Sequence, residues 1–237
     1  MFTKSATFYD AIYAAMGKDY VREAQQVHAL IQQHARAPGK TLLDVACGIG
    51  SHLAVLREWY EVAGLDLDPR MLAIARRRCP GVRFHRSDMA AFHLRRRFDA
   101  VICLFSSIGY ARTRARLYRA LKTFGQHTVP GWVVLIEPWI FPEKFEKGRV
   151  GLVVVDQPAL KITRMGRAIK RGDLSPLRFH YLVGTPGDVS HFTEEHTLGL
   201  FTHENYLTAF RAAGLDVSFD SDGLTGRGLY IGRKPLL

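Results

Sequence analysis

The stretch Thr41-Leu42-Leu43-Asp44-Val45-Ala46-Cys47-Gly48-Ile49-Gly50 decides the fold of this chain. An apolar run reaches the acidic Asp44, a Gly-x-Gly turn follows, and residues 51–56 then carry apolar side chains at helical spacing. Gly48 and Gly50 allow backbone conformations that a side chain would forbid, and they let a ligand lie against the main chain. The pattern predicts a strand, a tight turn and a helix, which place nucleotide-like cofactors at the carboxyl ends of a doubly wound sheet.

A second carboxylate narrows the choice of cofactor. Residues 61–66 predict a second strand that ends at Asp66, where such an acid accepts hydrogen bonds from the ribose hydroxyls of an adenosine. NAD and S-adenosylmethionine (SAM) share that ribose, so the acid alone leaves both open. An NAD fingerprint has a third glycine where this chain has Leu53, and Asp44 would repel a pyrophosphate. The ammonium of SAM would instead be attracted to Asp44, so the pattern favours SAM.

Further blocks of sequence extend the pattern over nearly the whole chain: residues 71–78, Ser87-Asp88-Met89, Phe105-Ser106-Ser107-Ile108-Gly109, Glu137-Pro138-Trp139 with Phe141-Pro142, and Gly226-Arg227-Gly228-Leu229. Residues 43–50 resemble motif I of the class I SAM-dependent methyltransferases. Together with the other blocks, they resemble the N,N-dimethyltransferases that act on dTDP-3-amino-deoxyhexoses in the desosamine and mycaminose pathways. The resemblance implies a methyltransferase of secondary metabolism that N-methylates a dTDP-amino-deoxy sugar by direct in-line transfer.

The predicted fold class is α/β: a seven-stranded Rossmann-like class I methyltransferase sheet with helices on both faces and an inserted antiparallel β-sheet after the fifth strand. The later strands of the large sheet are predicted at 82–85, 98–104, 131–137, 216–220 and 228–233, and the inserted strands at 150–155, 160–169, 177–183 and 192–200. Helical patterns cover 5–36, interrupted by a turn at 17–20, and also 112–128 and 203–213. We expect residues 1–139 and 201–237 to form the SAM-binding domain with an N-terminal helical lid, and 140–200 to cover the substrate.

Cofactor contacts follow from the motif residues and the resemblance. The predicted set is Tyr9, Tyr20, Asp44, Ala46, Gly48, Gly50, His52, Asp66, Asp88, Met89 and Leu104. The resemblance implies that Asp88 binds the adenine amine and that Met89 packs against the ring. Asp88 is alternatively a helix cap before Ala90, and Tyr9 and Tyr20 are alternatively packing residues.

Substrate contacts are implied by the same resemblance. The predicted set is Ser107, Trp139, Phe141, Thr163, Arg164, Phe179, His180, Tyr181 and Arg227. Trp139 and Phe141 would border the sugar, and Arg227 would hold the diphosphate, because a guanidinium fork matches that group. Arg227 is alternatively a surface arginine within a glycine turn.

Two positions depart from the pattern of the family. A histidine follows Ser-Ser-Ile-Gly in the family, whereas this chain has Tyr110, and the family tyrosine eight residues before the position of Tyr9 is here Met1, followed by Phe2. Tyr110 and Tyr13 are the candidate catalytic side chains. The attacking amine must be neutral, so acid–base residues assist methyl transfer without being obligatory. Tyr110 can hydrogen-bond an amine but is a weak base, which leaves the acceptor open.

The composition favours a cytoplasmic protein. The start of the chain lacks the pattern of a signal peptide, and no apolar stretch is long enough to span a membrane. Three cysteines lie far apart, and the histidines show no metal-ligand spacing, so no metal is expected. The net charge of +11 suits a cleft for a nucleotide diphosphate. Nucleic-acid binding is not indicated, because the sequence has no basic stripe with interleaved aromatic residues.

Rival functions remain at this stage. A methyltransferase of another small acceptor, such as an amino acid or a secondary metabolite, fits the same cofactor motif. An RNA-associated SAM protein would use the positive surface, but the chain lacks the Asn-Pro-Pro-Tyr-type loop after the fourth strand. A non-catalytic SAM-binding module fits less well, because the predicted pocket is complete. A homodimer is possible by resemblance alone.

Overall fold

The computed structural model describes residues 4–236 and confirms the predicted α/β fold. The strands are β1 (Thr41–Val45), β2 (Glu61–Asp66), β3 (Arg83–Arg86), β4 (Phe98–Cys103), β5 (Thr128–Ile136), β6 (Val150–Gln157), β7 (Leu160–Ala168), β8 (Leu174–Thr185), β9 (Asp188–Gly199), β10 (Asp216–Asp220) and β11 (Leu229–Arg233). The α-helices are α1 (Tyr9–Ala15), α2 (Tyr20–His34), α3 (Ser51–Leu56), α4 (Pro69–Arg78), α5 (Arg114–Gln126) and α6 (His203–Ala212). Short 3-10 helices cover Ala6–Phe8, Ser107–Ala111 and Pro142–Lys144.

Seven strands form one sheet in the order β10-β11-β5-β4-β1-β2-β3. The strands from β5 to β3 pair in parallel, and β11 is antiparallel to both of its neighbours. Apolar side chains of α2 and α3 cover one face and those of α5 and α6 cover the other. The central strands are therefore buried on both sides, which explains why their sequences are continuous apolar runs. Their carboxyl ends form the edge at which the site is built.

The inserted sheet lies between β5 and α6 in sequence and has the order β6-β7-β8-β9. All of its pairs are antiparallel, and the turn predicted at 171–173 joins β7 to β8. Its inner face packs against α1, where Ile12 contacts a cluster that contains Val155, Ile162 and Tyr181. Strands β8 and β9 are longer than the sequence pattern predicts.

The N-terminal segment lies between the two sheets. The predicted turn at 17–20 separates α1 from α2: Gly17 has a φ of 75°, and the Asp19 carboxylate caps α2 by accepting from the Arg22 amide at 2.9 Å. Arg78 of α4 pairs with Asp10 of α1, and Glu194 of β9 accepts the Ser5 amide at 3.1 Å. Helix α1 is thus tied to α4, and both it and the segment before it contact the inserted sheet.

The predictions made for Met1 and Phe2 fall outside the described residues. Within residues 4–236, no helix is both long and apolar enough to cross a lipid bilayer.

Candidate active site

A deep cavity opens where the carboxyl ends of the central strands face α1 and the inner side of the inserted sheet. A narrower pocket adjoins it and shares Tyr9, Ala46 and Gly48 with it. The predicted site residues that line one or both are Tyr9, Tyr13, Tyr20, Asp44, Ala46, Gly48, His52, Asp66, Asp88, Met89, Leu104, Ser107, Tyr110, Trp139, Arg164, Phe179 and Arg227. The fold therefore assembles residues from both ends of the chain around one space.

Asp66 is held at the end of β2 by two backbone amides. Its Oδ2 accepts from the Gly48 amide at 2.8 Å, and its Oδ1 accepts from the Asp68 amide at 2.8 Å. Gly48 has a φ of 56°, a left-handed conformation that favours glycine. Each carboxylate oxygen retains further acceptor capacity, so Asp66 can accept hydrogen bonds from two neighbouring hydroxyls, as an adenosine ribose would require.

Asp44 lies at the end of β1 and is only 3% exposed. Burial raises its pKa well above the usual range, and the nearby charge of Asp66 adds to this. Aromatic rings of Tyr9, Tyr20 and Phe105 line the same narrow pocket. A cation placed between these acids and rings would offset the like charges and contact aromatic faces. The residues present therefore fit SAM, which carries both an ammonium and a sulfonium.

His52 reaches the narrow pocket from α3, and its ring is held by a buried acid. Its Nε2 lies 2.9 Å from Glu23 Oε2, and the same oxygen accepts from Lys18 Nζ at 2.6 Å. The three side chains are 9% exposed or less. The His52 ring also packs edge-to-face against the Tyr20 ring, with 5.0 Å between the ring centroids. Glu23 therefore joins α2 to α3, the helix that follows the glycine turn.

Asp88 is not a helix cap, because residues 89–91 form a turn and no helix follows it. Its Oδ1 accepts from the Ala90 amide at 2.9 Å, and its side chain lines the cavity, where its contact with adenine stays a prediction. Arg116 of α5 donates to both carboxylate oxygens, at 2.9 and 2.7 Å. Burial alone would raise the pKa of Asp88, but these hydrogen bonds outweigh it and lower the pKa. Arg116 therefore keeps Asp88 charged at the adenine end predicted for the cavity.

The loop after β4 has an unusual backbone that is fixed by a buried acid. Phe105 and Ser106 have φ values of 51° and 61°, which non-glycine residues rarely adopt. Glu137 is fully buried and accepts from the Phe105 amide at 2.6 Å through Oε2. Its other oxygen accepts from the Thr225 hydroxyl. One carboxylate thus links the loop after β4 to the glycine-rich loop before β11.

Arg227 reaches the cavity from that glycine-rich loop. Its Nη1 donates to Ser106 Oγ at 3.2 Å, and its guanidinium lies 5.4 Å from the Phe105 ring and 5.8 Å from the Trp139 ring. No carboxylate of residues 4–236 forms an ion pair with it. A guanidinium that is oriented but not neutralised can receive an anionic ligand.

A second arginine lines the opposite wall of the cavity. Arg164 of β7 is 7% exposed, and its guanidinium lies 5.4 Å from the Tyr13 ring and 5.0 Å from the Phe179 ring. Burial raises the pKa of Tyr13, although Arg164 opposes the increase. Tyr13 therefore stays a neutral phenol at neutral pH, and the cavity is positively charged on two sides.

Tyr110 lies on the 3-10 helix after β4 and meets a histidine of the inserted sheet. Its hydroxyl is 2.7 Å from Nδ1 of His196 on β9. Burial raises the pKa of Tyr110 well above its usual value, so the phenol is neutral. Burial lowers the pKa of His196 to about 3, so the imidazole is neutral as well.

Several predicted contacts do not line the cavity. Gly50 supports the turn, since a side chain there would meet Ala75 at 3.3 Å. Phe141 packs in the core against Tyr206 and Phe219, and Tyr181 is buried between the inserted sheet and α1.

Thr163 and His180 differ from the prediction for a reason of strand geometry. Successive side chains of a strand point to opposite faces, and Arg164 and Phe179 occupy the inner face. Their neighbours Thr163 and His180 therefore lie on the outer face, where His180 is exposed. Within a strand that carries apolar side chains on both faces, the sequence did not indicate which face is inner.

Other lining residues were not among the predicted contacts, notably Phe105, Ser106, Arg116 and His196. Phe105 and Ser106 belong to the block at residues 105–109 that resembles the family, and this resemblance was the signal that could have placed them in the site. Arg116 carries no local signal, because its role depends on α5 meeting Asp88. For His196 the sequence left a substrate contact and an ordinary strand histidine equally open, because a single histidine on a strand carries no further signal.

Comparisons with known proteins place this geometry in context. A family described as a methyltransferase domain matches residues 42–131. The chain is 44% identical to dTDP-3-amino-3,6-dideoxy-alpha-D-glucopyranose N,N-dimethyltransferase of Streptomyces fradiae, over 96% of this chain and 89% of that protein. It is 39% identical to dTDP-4-amino-2,3,4,6-tetradeoxy-D-glucose N,N-dimethyltransferase of Saccharopolyspora spinosa, over 96% of this chain and 91% of that protein. These relatives are named for different amino positions on the sugar.

Solved structures agree with the sequence comparison. DesVI of Streptomyces venezuelae superposes with a TM-score of 0.91 at 39% identity, over 95% of this chain and 96% of that one. CalS10 of Micromonospora echinaspora, an amino pentose methyltransferase solved with SAM bound, superposes with a TM-score of 0.87 at 38% identity, over 95% of each chain. The similarity covers both the large sheet and the inserted one.

Proposed function

Because this chain belongs to the SAM-dependent N,N-dimethyltransferases of dTDP-amino-deoxy sugars, we propose that it N-methylates the amino group of a dTDP-linked amino-deoxy sugar. The relatives named above support the sugar nucleotide as the substrate class. Their different amino positions leave the 3-amino and 4-amino sugars as the two acceptors to be compared. Residues 140–200 act as the cover of the substrate side in this proposal.

The chain's own residues have limited chemistry to perform. When bound, SAM supplies a methyl group already activated on its sulfonium, so the protein mainly provides alignment and a dry site. Asp44 and Asp66 hold the cationic and ribose portions, while Tyr9 covers them from α1. The rings of Trp139 and Phe105 border the reacting space. In this proposal α1, which packs against the inserted sheet and pairs with α4, limits the access of water to the reacting space.

Tyr110 and Tyr13 are the proposed catalytic hydroxyls, and neither acts as a phenolate. Burial raises the pKa of both, so each is a neutral hydrogen-bonding group. The acceptor amine must therefore lose its proton to water as it enters. Arg164 favours that loss, because its guanidinium charge beside the cavity opposes a substrate ammonium.

The proposal rests on one observation, which is that the Arg227 guanidinium is held in place at the cavity without an acidic partner among residues 4–236. Its guanidinium is oriented by Ser106 and two aromatic rings, and among residues 4–236 it has no acidic partner. A diphosphate supplies two or more negative oxygens that match a guanidinium fork. A neutral small acceptor, such as a free amine, would leave this charge unused.

The test is calorimetric titration of dTDP into protein saturated with S-adenosylhomocysteine. We expect micromolar binding by the wild type and about 100-fold weaker binding by Arg227→Ala, since two charge-assisted hydrogen bonds together contribute about 3 kcal/mol. Arg167→Ala is the matched control, because Arg167 is exposed on the inserted sheet and carries the same charge. Absence of dTDP binding by the wild type would overturn the substrate class.

Turnover then identifies the sugar. The protein is incubated for about one hour with SAM and either a dTDP-3-amino or a dTDP-4-amino sugar, and the product is analysed by mass spectrometry. Each methyl transfer should raise the mass of the sugar nucleotide by about 14 Da. Two additions would establish dimethylation. No addition to any such sugar would contradict the proposed reaction.

The remaining aspects of the proposal concern assembly and setting. Val150, Leu152, Val154, Met165 and Leu182 are 47–60% exposed on the outer face of the inserted sheet. An exposed apolar patch that starts on the edge strand β6 and extends over β7 and β8 suits an isologous contact with a second copy of this chain. Light scattering should give a dimer that Leu152→Glu converts to a monomer. A cytoplasmic enzyme of secondary metabolism fits the biosynthetic relatives.

A further inference from the structure

The Tyr110–His196 contact joins two distant parts of the chain at the cavity wall. The Tyr110 hydroxyl and His196 Nδ1 are 2.7 Å apart, although the residues are 86 positions apart in sequence. Both side chains line the cavity. The contact therefore lies on the wall of the cavity proposed to hold the acceptor, and it involves a histidine that the sequence left open as either a substrate contact or a structural residue.

The direction of this hydrogen bond has a chemical consequence. If neutral His196 carries its proton on Nε2, its Nδ1 is an acceptor, and the Tyr110 hydroxyl must donate to it. The phenol oxygen then offers only lone pairs to the cavity. An amine that donates one N–H to this oxygen keeps its own lone pair free for attack. The opposite tautomer would point the phenol proton at the amine lone pair and block the reaction.

Groups around the pair keep both partners neutral. Burial and the positive charge of Arg164 on β7 disfavour an imidazolium at His196. Burial, Tyr13 of α1 and Asp66 of β2 disfavour a phenolate at Tyr110, and Tyr181 of β8 and Glu194 of β9 act in the same direction. Phe179 packs against the imidazole at 5.5 Å between ring centroids. Both partners are thus neutral across the working pH range, so one proton lies between the Tyr110 oxygen and His196 Nδ1, and the tautomer of His196 decides which of the two atoms donates.

We propose that His196 is a positioning residue, which accepts the Tyr110 hydroxyl proton in a hydrogen bond and so turns the Tyr110 oxygen into an acceptor for the substrate amine N–H. The proposal deepens the proposed function and rests on it for the identity of the amine. His196 itself neither takes up a proton nor touches the reacting atoms. Its whole effect passes through Tyr110.

A double-mutant cycle tests this dependence. We expect His196→Leu to lower kcat about tenfold, the effect of losing one orienting hydrogen bond, with little change in KM for the sugar. His196→Asn should recover most of the rate, because its amide oxygen replaces the Nδ1 acceptor. Tyr110→Phe combined with His196→Leu should be no slower than Tyr110→Phe alone. Multiplied losses in the double variant, or an unchanged kcat in His196→Leu, would overturn the proposal.

A second measurement does not depend on the substrate. Imidazole ¹⁵N spectra of the protein with S-adenosylhomocysteine should show that His196 is protonated at Nε2 and unprotonated at Nδ1. This pattern should hold from about pH 5 to 9, because the imidazole stays neutral over that range. The His196→Asn spectrum assigns the signal, and Tyr110→Phe should shift its Nδ1 resonance. A proton on Nδ1 would overturn the proposal even if no amino sugar is turned over. Failure of turnover with the expected tautomer would instead count against the proposed function alone.

Discussion

Replacement of Glu23 by glutamine should destabilise the protein more than its location near the N-terminus suggests. Glu23 Oε2 accepts from Lys18 Nζ at 2.6 Å and lies 2.9 Å from His52 Nε2, and the three side chains are almost fully buried. Removal of one partner from a buried ion pair costs about 3–5 kcal/mol. Glutamine retains one hydrogen bond, and Lys18 can lose its proton because burial already lowers its pKa. We therefore expect the free energy of unfolding to fall by about 3 kcal/mol, the lower end of that range.

The assay is thermal unfolding followed by circular dichroism. For a chain of this size, about 3 kcal/mol corresponds to a decrease in Tm of roughly 6–12 °C. Glu61→Gln is the matched control, since Glu61 pairs with Arg96 at 2.9 Å but its side chain is 68% exposed. An exposed ion pair contributes about 0–1 kcal/mol. A Tm for Glu23→Gln within about 1 °C of the wild type would refute the reasoning, given that a change of 1 kcal/mol moves Tm by more than this.

The pH dependence gives a further check on the same acid. Burial raises the pKa of Glu23, but the hydrogen bonds from His52 and Lys18 outweigh it, and the folded pKa is lowered. A lowered carboxyl pKa stabilises the fold above the unfolded value, and this contribution disappears as the pH falls through the folded value. The difference in Tm between the wild type and Glu23→Gln should therefore have its largest value at pH 7 and decrease below about pH 4.5. A difference that grows on acidification would contradict this linkage.

Three further changes probe Asp66 and two glycines, of which Gly48 lines the cavity and Gly64 lies within β2. Asp66→Asn should weaken S-adenosylhomocysteine binding about 100-fold in calorimetry, because two charge-assisted bonds of about 1.5 kcal/mol each are lost; an unchanged affinity would show that Asp66 does not contact the ribose. Gly64→Ala should lower the unfolding free energy by more than about 2 kcal/mol in urea titration, since its Cβ would lie 2.6 Å from the Phe84 ring. Gly48→Ala should cost only about 1–2 kcal/mol for its left-handed φ, because its Cβ would meet Met71 at an ordinary 3.7 Å; equal costs at the two glycines would refute the distinction.

The inserted sheet shows where sequence reasoning reaches its limit. Its position after β5 and its turns were predictable, because turn residues are local signals, whereas the full lengths of β8 and β9 were not. Which side chains face the cavity was not, since Val150, Leu152 and Val154 place apolar side chains on the outer face as well. With both faces partly apolar, alternation gives the period but not its phase. Thr163 was therefore assigned to the wrong face.

Residues within one βα unit dictate the strand, the glycine turn and the two acids Asp44 and Asp66, so the sequence alone was sufficient to predict them. Through its resemblance to a known family, the sequence also predicted a seven-stranded sheet with an inserted antiparallel sheet, but not the order of the strands. Only the tertiary structure decided which distant side chains meet, as Arg116 meets Asp88 and His196 meets Tyr110. Such contacts depend on how helices and strands pack around one cavity, and packing is a property of the whole chain that leaves no local pattern in the sequence.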